Sequence, residues 1–125
     1  MAHGVRQSVT ITTDGSGDAT AFVDGGTWVI EEIKYVKTDF ATGVDFTITG
    51  EDSGTNIWTQ LNVDASVTVR PRAATHLTDG VAALYAAAGT SVNDKILIID
   101  ERIKIVIAAG GVTKTGDITV TLGAG

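Results

Sequence analysis

The clearest alternation of apolar and polar positions runs from Val44 to Thr49. Val44, Phe46 and Ile48 share one parity, and Asp45, Thr47 and Thr49 the other. A period of two is what a strand with one buried face produces, because successive side chains point to opposite sides. Tyr35 to Thr38 precedes it, and Asp39 to Gly43 lies between. The stretch therefore reads as a hairpin, with Gly43 supplying a positive φ at its turn. Phe40 would stand at the hairpin tip with no evident core to fill, which makes it a candidate anchor for a partner.

The same reading extends along the chain. Ser8 to Thr13 alternates, Asp14-Gly15-Ser16-Gly17-Asp18 forms a turn, and Ala19 to Val23 returns as a second hairpin that Asp24-Gly25-Gly26 ends. Thr27 to Thr38 is a longer β run whose inward parity changes at Glu31-Glu32, so a bulge is expected there. Glu51 to Asn56 is a turn and Ile57 to Leu61 a short strand. Ser66 to Arg70 is another, stopped by Pro71. Arg70 to Gly80 has no period and reads as a loop, and Val81 to Ala88 as irregular chain or a short helical turn. Lys95 to Ile99 is apolar on both parities, as expected of a central strand, and Asp100-Glu101 is its turn. Ile103, Ile105 and Ile107 face inward on the next strand, and Ile118, Val120 and Leu122 on the last. About eight short strands with regular turn signals predict an all-β antiparallel β-sandwich, jelly-roll-like in its strand count.

Composition narrows the function more than the fold. A chain of 125 residues is expected to be one domain, 1–125, with residues 1–6 as a flexible N-terminal arm. It has no cysteine, which excludes disulfides and thiolate metal sites. The net charge of −6 disfavours a nucleic-acid groove. No segment approaches the ~20 apolar residues of a membrane helix, and the first residues lack the apolar run of a signal peptide.

Tyr35-Val36-Lys37-Thr38-Asp39-Phe40-Ala41-Thr42-Gly43-Val44-Asp45-Phe46 resembles small structural proteins of tailed bacteriophages, specifically the capsid cement or decoration proteins. The likeness continues through Asn56 to Gln60, Pro71-Arg72, Thr75-His76, Leu84 to Ala87, Val92 to Asp94 and Arg102 to Ile107, ending at Thr115-Gly116. The resemblance implies a jelly-roll-like virion protein without catalytic residues or cofactor. It would be made in the host bacterial cytoplasm and would stabilise the outside of the capsid shell. Its partners would be the major capsid protein and itself, as a homodimer or homotrimer. Two other roles stay open: a carbohydrate- or receptor-binding module on the virion, and a head–tail or tail component.

The remaining constellations weigh less. The acidic turns at Asp14 and Glu51 lack the length and ligand pattern of a calcium loop. His3, in the expected arm, and His76 make no imidazole pair for zinc. Ser66, His76 and Asp79 show nothing like a nucleophile elbow. Trp28, Tyr35, Trp58 and Tyr85 could in principle stack on a sugar, but aromatic residues of this kind more often fill a core. Arg70-Pro71-Arg72 with His76 is the one local cationic cluster and a candidate docking loop for acidic patches on the shell.

Overall fold

Eight strands form in the computed structural model, which describes residues 4–124, and no helix occurs among those residues. They are β1 (Val5–Thr12), β2 (Ala19–Lys37), β3 (Val44–Gly50), β4 (Asn56–Val63), β5 (Val67–Val69), β6 (Arg72–Ala74), β7 (Asn93–Ala108) and β8 (Thr115–Gly123). The expected all-β antiparallel architecture is present. Its strands join in a single open sheet of order β1-β8-β2-β7-β3-β4, with β5 on β2 and β6 on β7.

The sheet becomes sandwich-like because its two longest strands bend. β2 pairs with β7 from Ala19 to Ile30 and with β8 from Val29 to Lys37, so its halves belong to different layers. The bends sit at bulges. Asp24-Gly25-Gly26 does not end a strand; β2 continues through Gly26, whose φ is +62°. Asp100-Glu101 is likewise not a turn, and β7 continues through Asp100 at φ +47°. Gly26 faces Glu101, so the irregularities of the two strands lie side by side. Each extra residue flips the inward parity: Ile96 and Ile98 are buried before Asp100, and Glu101, Ile103, Ile105 and Ile107 after it. The bulge expected at Glu31-Glu32 is there too, since Ile30 faces Leu122 but Glu32 faces Thr121. Bends of this kind let one sheet wrap a single core.

Neither expected hairpin forms. β1 pairs with β8, from Val5 opposite Leu122 to Thr12 opposite Thr115. β2 and β3 are separated by β7. The segments 13–18, 38–43 and 109–114 are instead arches that carry the chain between layers, and they brace one another. Thr13 N–H donates to Lys114 O (2.8 Å), Gly110 N–H to Gly17 O (2.9 Å) and Ala41 N–H to Gly110 O (2.9 Å). The expected arm of residues 1–6 extends two residues into β1, because Val5 and Arg6 are paired with Leu122 and Thr121. His3 lies outside the described residues.

The arch at 38–43 corrects the reading of Phe40. Because the chain crosses between layers there, the tip residue closes the end of the core, and Phe40 is only 2% exposed. Its ring lies 6.0 Å from that of Tyr35 and 6.3 Å from that of Phe46. Gly116 makes its seat: a Cβ there would come within 2.5 Å of Phe40 Cε2. Asp39 fixes the arch by accepting the N–H (2.5 Å) and Oγ1–H (3.1 Å) of Thr115. The backbone donation from Thr115 holds the Asp39 carboxyl below its ordinary value. Gly43 takes the expected positive φ, +91°, and Val44, Phe46 and Ile48 are fully buried.

Candidate interaction surface

Between β5 and β7 the chain leaves the sandwich, and no residue from Arg70 to Val92 is buried. This spur is more ordered than the expected loop. β6 aligns Arg72, Ala73 and Ala74 with Lys95, Asp94 and Asn93. Beyond it, isolated bridges join His76 to Ala82 and Leu84 to Ser91. Thr75 N–H donates to Val92 O, Ala83 N–H to Thr75 O and Val92 N–H to Ala83 O, all within 2.8–2.9 Å. Val81 to Ala88 is irregular and contains no helix. Backbone hydrogen bonds thus shape the spur, while Ala74, Thr75, Ala82, Ala83 and Val92 are half-buried and its larger apolar side chains are exposed.

Those side chains are unusually apolar for a surface. Leu77, Val81, Leu84 and Tyr85 are 55, 59, 43 and 76% exposed. At the foot of the spur an open groove of about 470 Å³ runs between Ala73–His76 and Asp94–Leu97. It leads onto the outer side of β7, where Leu97 and Ile99 are 52 and 62% exposed. Lys95 to Ile99 is therefore not buried on both faces as expected. Ile96 and Ile98 enter the core, and the other parity forms an apolar strip with half-buried Val29, which faces Leu97 across the β2–β7 ladder.

The predicted cations stand at the spur's root. Arg70 lies 3.1 Å from Glu32 in an exposed ion pair, which contributes little stability. Arg72 donates from Nη1 to Pro71 O (2.8 Å) and is otherwise exposed. His76 is exposed beside the groove. The structure thus gathers Arg70, Arg72 and His76 along one short segment, and removes Phe40 from any surface.

The other constellations resolve into local structural roles. Ser66 Oγ accepts the Lys37 N–H (2.9 Å) and Asp79 Oδ1 the Val81 N–H (3.1 Å); no hydrogen bond joins either to His76. Asp14 Oδ1 caps its own turn through the N–H groups of Ser16 and Asp18, and the Asp18 donation leads in lowering its pKa. The aromatics do not form a platform. Tyr35 and Trp58 are buried, their rings 4.7 Å and 5.4 Å from Phe46; Trp28 packs on the core edge and Tyr85 stands on the spur.

Sequence reasoning missed Glu101. It is buried at the β7 bulge, and its Oε1 accepts the N–H groups of Asp52 (2.8 Å) and Ser53 (2.9 Å). The Ser53 donation leads in holding its pKa down. Beside it Arg102 donates twice to Glu51 at 2.6 Å, which depresses the Glu51 carboxyl, and its guanidinium lies 4.1 Å over the Phe22 ring. This acidic end is a built corner of the sandwich. No group of three or more His, Asp or Glu side chains is placed to hold a metal ion among the described residues.

No protein-family model and no curated protein matches this chain. Among solved structures, its fold is similar to that in the crystal structure of FLHE, at 12% sequence identity and a TM-score of 0.46. The match covers 98% of this chain and 96% of that one.

Proposed function

We propose that this chain is a structural protein of a tailed-phage virion, a cement that binds the outside of the capsid shell and bridges major capsid protein subunits. The sequence resemblance set out above supports the phage assignment. The observation that carries a binding role is the spur: no residue from Arg70 to Val92 is fully buried, and Leu77, Val81, Leu84 and Tyr85 are exposed. Monomeric surfaces seldom carry large contiguous apolar patches unless another molecule covers them. A sandwich whose layers are tied by braced arches gives such a spur a rigid base, and shell contacts act together once several subunits are engaged.

In this reading Arg70, Arg72 and His76 at the spur's root meet carboxylates of the shell, with no cofactor involved. The test is the protein's copy number and position in purified particles of the phage that encodes it. Hundreds of copies as density on the outer shell are expected; a single ring at the tail junction, or absence from the particle, overturns the reading. In the same system the double variant Arg70→Glu/Arg72→Glu should fold normally and lose shell occupancy.

A further inference from the structure

The chain contains three Asp-Gly junctions: Asp14-Gly15, Asp24-Gly25 and Asp79-Gly80. At such a junction no side chain shields the glycine amide nitrogen, which can attack the aspartate carboxyl and close a five-membered succinimide. We propose that Asp79, in the Leu77–Val81 turn of the spur, is a self-modification site that converts to isoaspartate in the folded protein, while the other two junctions are protected. This inference goes beyond the virion role and does not depend on it.

The reaction needs no reagent but water. Gly80 N bonds to Asp79 Cγ, the Cγ–O bond breaks, and one water leaves carrying the amide proton. Water then adds to the α-carbonyl carbon of Asp79 and the Asp79–Gly80 peptide bond breaks. The main chain now runs through Cγ, one methylene longer and unchanged in mass.

All three junctions have the same chemistry, so the fold decides between them. Ring closure requires the aspartate and its peptide to rotate. Asp24-Gly25 lies inside β2, and Gly25 packs so closely on the Glu101 carbonyl that a Cβ there would overlap it. Asp14 is held on both sides. Its Oδ1 accepts the N–H groups of Ser16 (2.8 Å) and Asp18 (3.0 Å), and its carbonyl those of Gly17 (3.2 Å) and, from the neighbouring arch, Thr113 (3.1 Å). Asp79 is held only within its own turn. Its Oδ1 accepts the Val81 N–H (3.1 Å), Gly80 N–H donates to Leu77 O (2.9 Å) and Leu77 N–H to Val81 O (2.8 Å). Every residue from Leu77 to Val81 is exposed, and a Cβ on Gly80 would meet nothing within 4 Å. Exposed turns with so few ties open locally at small cost. The added methylene would part the Leu77–Val81 hydrogen bond and so alter the apolar tip that those two residues form.

The experiment ages the purified full chain in neutral buffer at physiological temperature, digests it with trypsin and locates isoaspartate by electron-transfer fragmentation. Asp79 falls in the tryptic peptide 73–95, and the other two junctions in 7–34. A second sample is aged in guanidinium chloride. In the folded chain isoaspartate should form at Asp79 about 10-fold faster than at Asp14 or Asp24, the ratio that a difference of about 1.4 kcal/mol in local opening produces. In the unfolded chain the three rates should converge. Comparable rates in the folded chain, or a lead by Asp14 or Asp24, overturn the inference. An equal preference for Asp79 in denaturant also overturns it, because sequence and not fold would then choose the site. Asp79→Ser, shown to be folded by circular dichroism, should leave peptide 73–95 unmodified; isoaspartate persisting there would move the assignment away from Asp79 and overturn it.

Discussion

The arch at 38–43 and the spur at 70–92 are both connections between strands, and each carries aromatic and apolar residues. They end in opposite places. The arch crosses between layers, so Phe40 is forced inward against Tyr35 and Phe46. The spur leaves the sheet and returns beside its exit, at Arg72–Ala74 against Asn93–Lys95, so it encloses nothing. Whether an apolar loop residue becomes core or surface is decided by what its flanking strands pair with. Its own chemistry and its neighbours in sequence do not decide it.

That contrast can be broken most forcefully at the arch. Phe40→Ala should lower unfolding free energy by about 3–5 kcal/mol, as for other buried Phe truncations, read by chemical denaturation. Gly116→Val, which fills the seat of the ring, should fall in the same direction. Acid is expected to act next. Asp39 and Glu101 have pKa values lowered in the folded chain, by the Thr115 and Ser53 donors respectively. Their contribution to stability is complete above their ordinary values of 3.8 and 4.5. It is lost as pH falls through the lower folded values, because the unfolded chain then takes up protons first. Thermal midpoints should therefore drop through that window, and Asp39→Asn should flatten the drop.

A smaller effect of opposite sign is expected at Tyr35. Its hydroxyl is buried without a hydrogen-bond partner among the described residues, and burial raises its pKa. Tyr35→Phe should stabilise the fold by about 1 kcal/mol, since an unsatisfied buried group is removed at nearly constant shape. At the other extreme, Tyr85→Asp on the spur should move stability by no more than ~0.5 kcal/mol, the usual range for surface changes. A large loss there would mean that the spur is part of the folding unit after all.

The strands themselves were legible in the sequence, because alternation reports burial on one face wherever pairing is regular. Val44, Phe46, Ile48, Ile103, Ile105 and Ile107 all face the core as their parity requires. Pairing was not legible. Gly26 and Asp100 are residue types that favour turns, and a bulge asks for the same backbone freedom, so two long strands read as four short ones. Phe40 was misplaced for the same reason: an arch and a hairpin turn look alike until the neighbours of their strands are known. Leu97 and Ile99 carried a signal that pointed both ways. Apolar residues on both parities fit a strand buried twice over, and equally a strand with one face kept for another molecule.

The position of β8 between β1 and β2 has a consequence for how the protein is made. Of these eight strands β1 is made before the others and its hydrogen-bonding partner β8 after them, with Val5 waiting for Leu122. β2 to β7 must all be synthesised before that ladder can close, and folds dominated by such distant pairings are slow to form. During the wait β1 is an unpaired strand at risk of joining the wrong edge. Its alternate positions, Arg6, Ser8, Thr10 and Thr12, are polar and stay exposed in the finished fold, which suits a strand that must remain in water until its partner arrives.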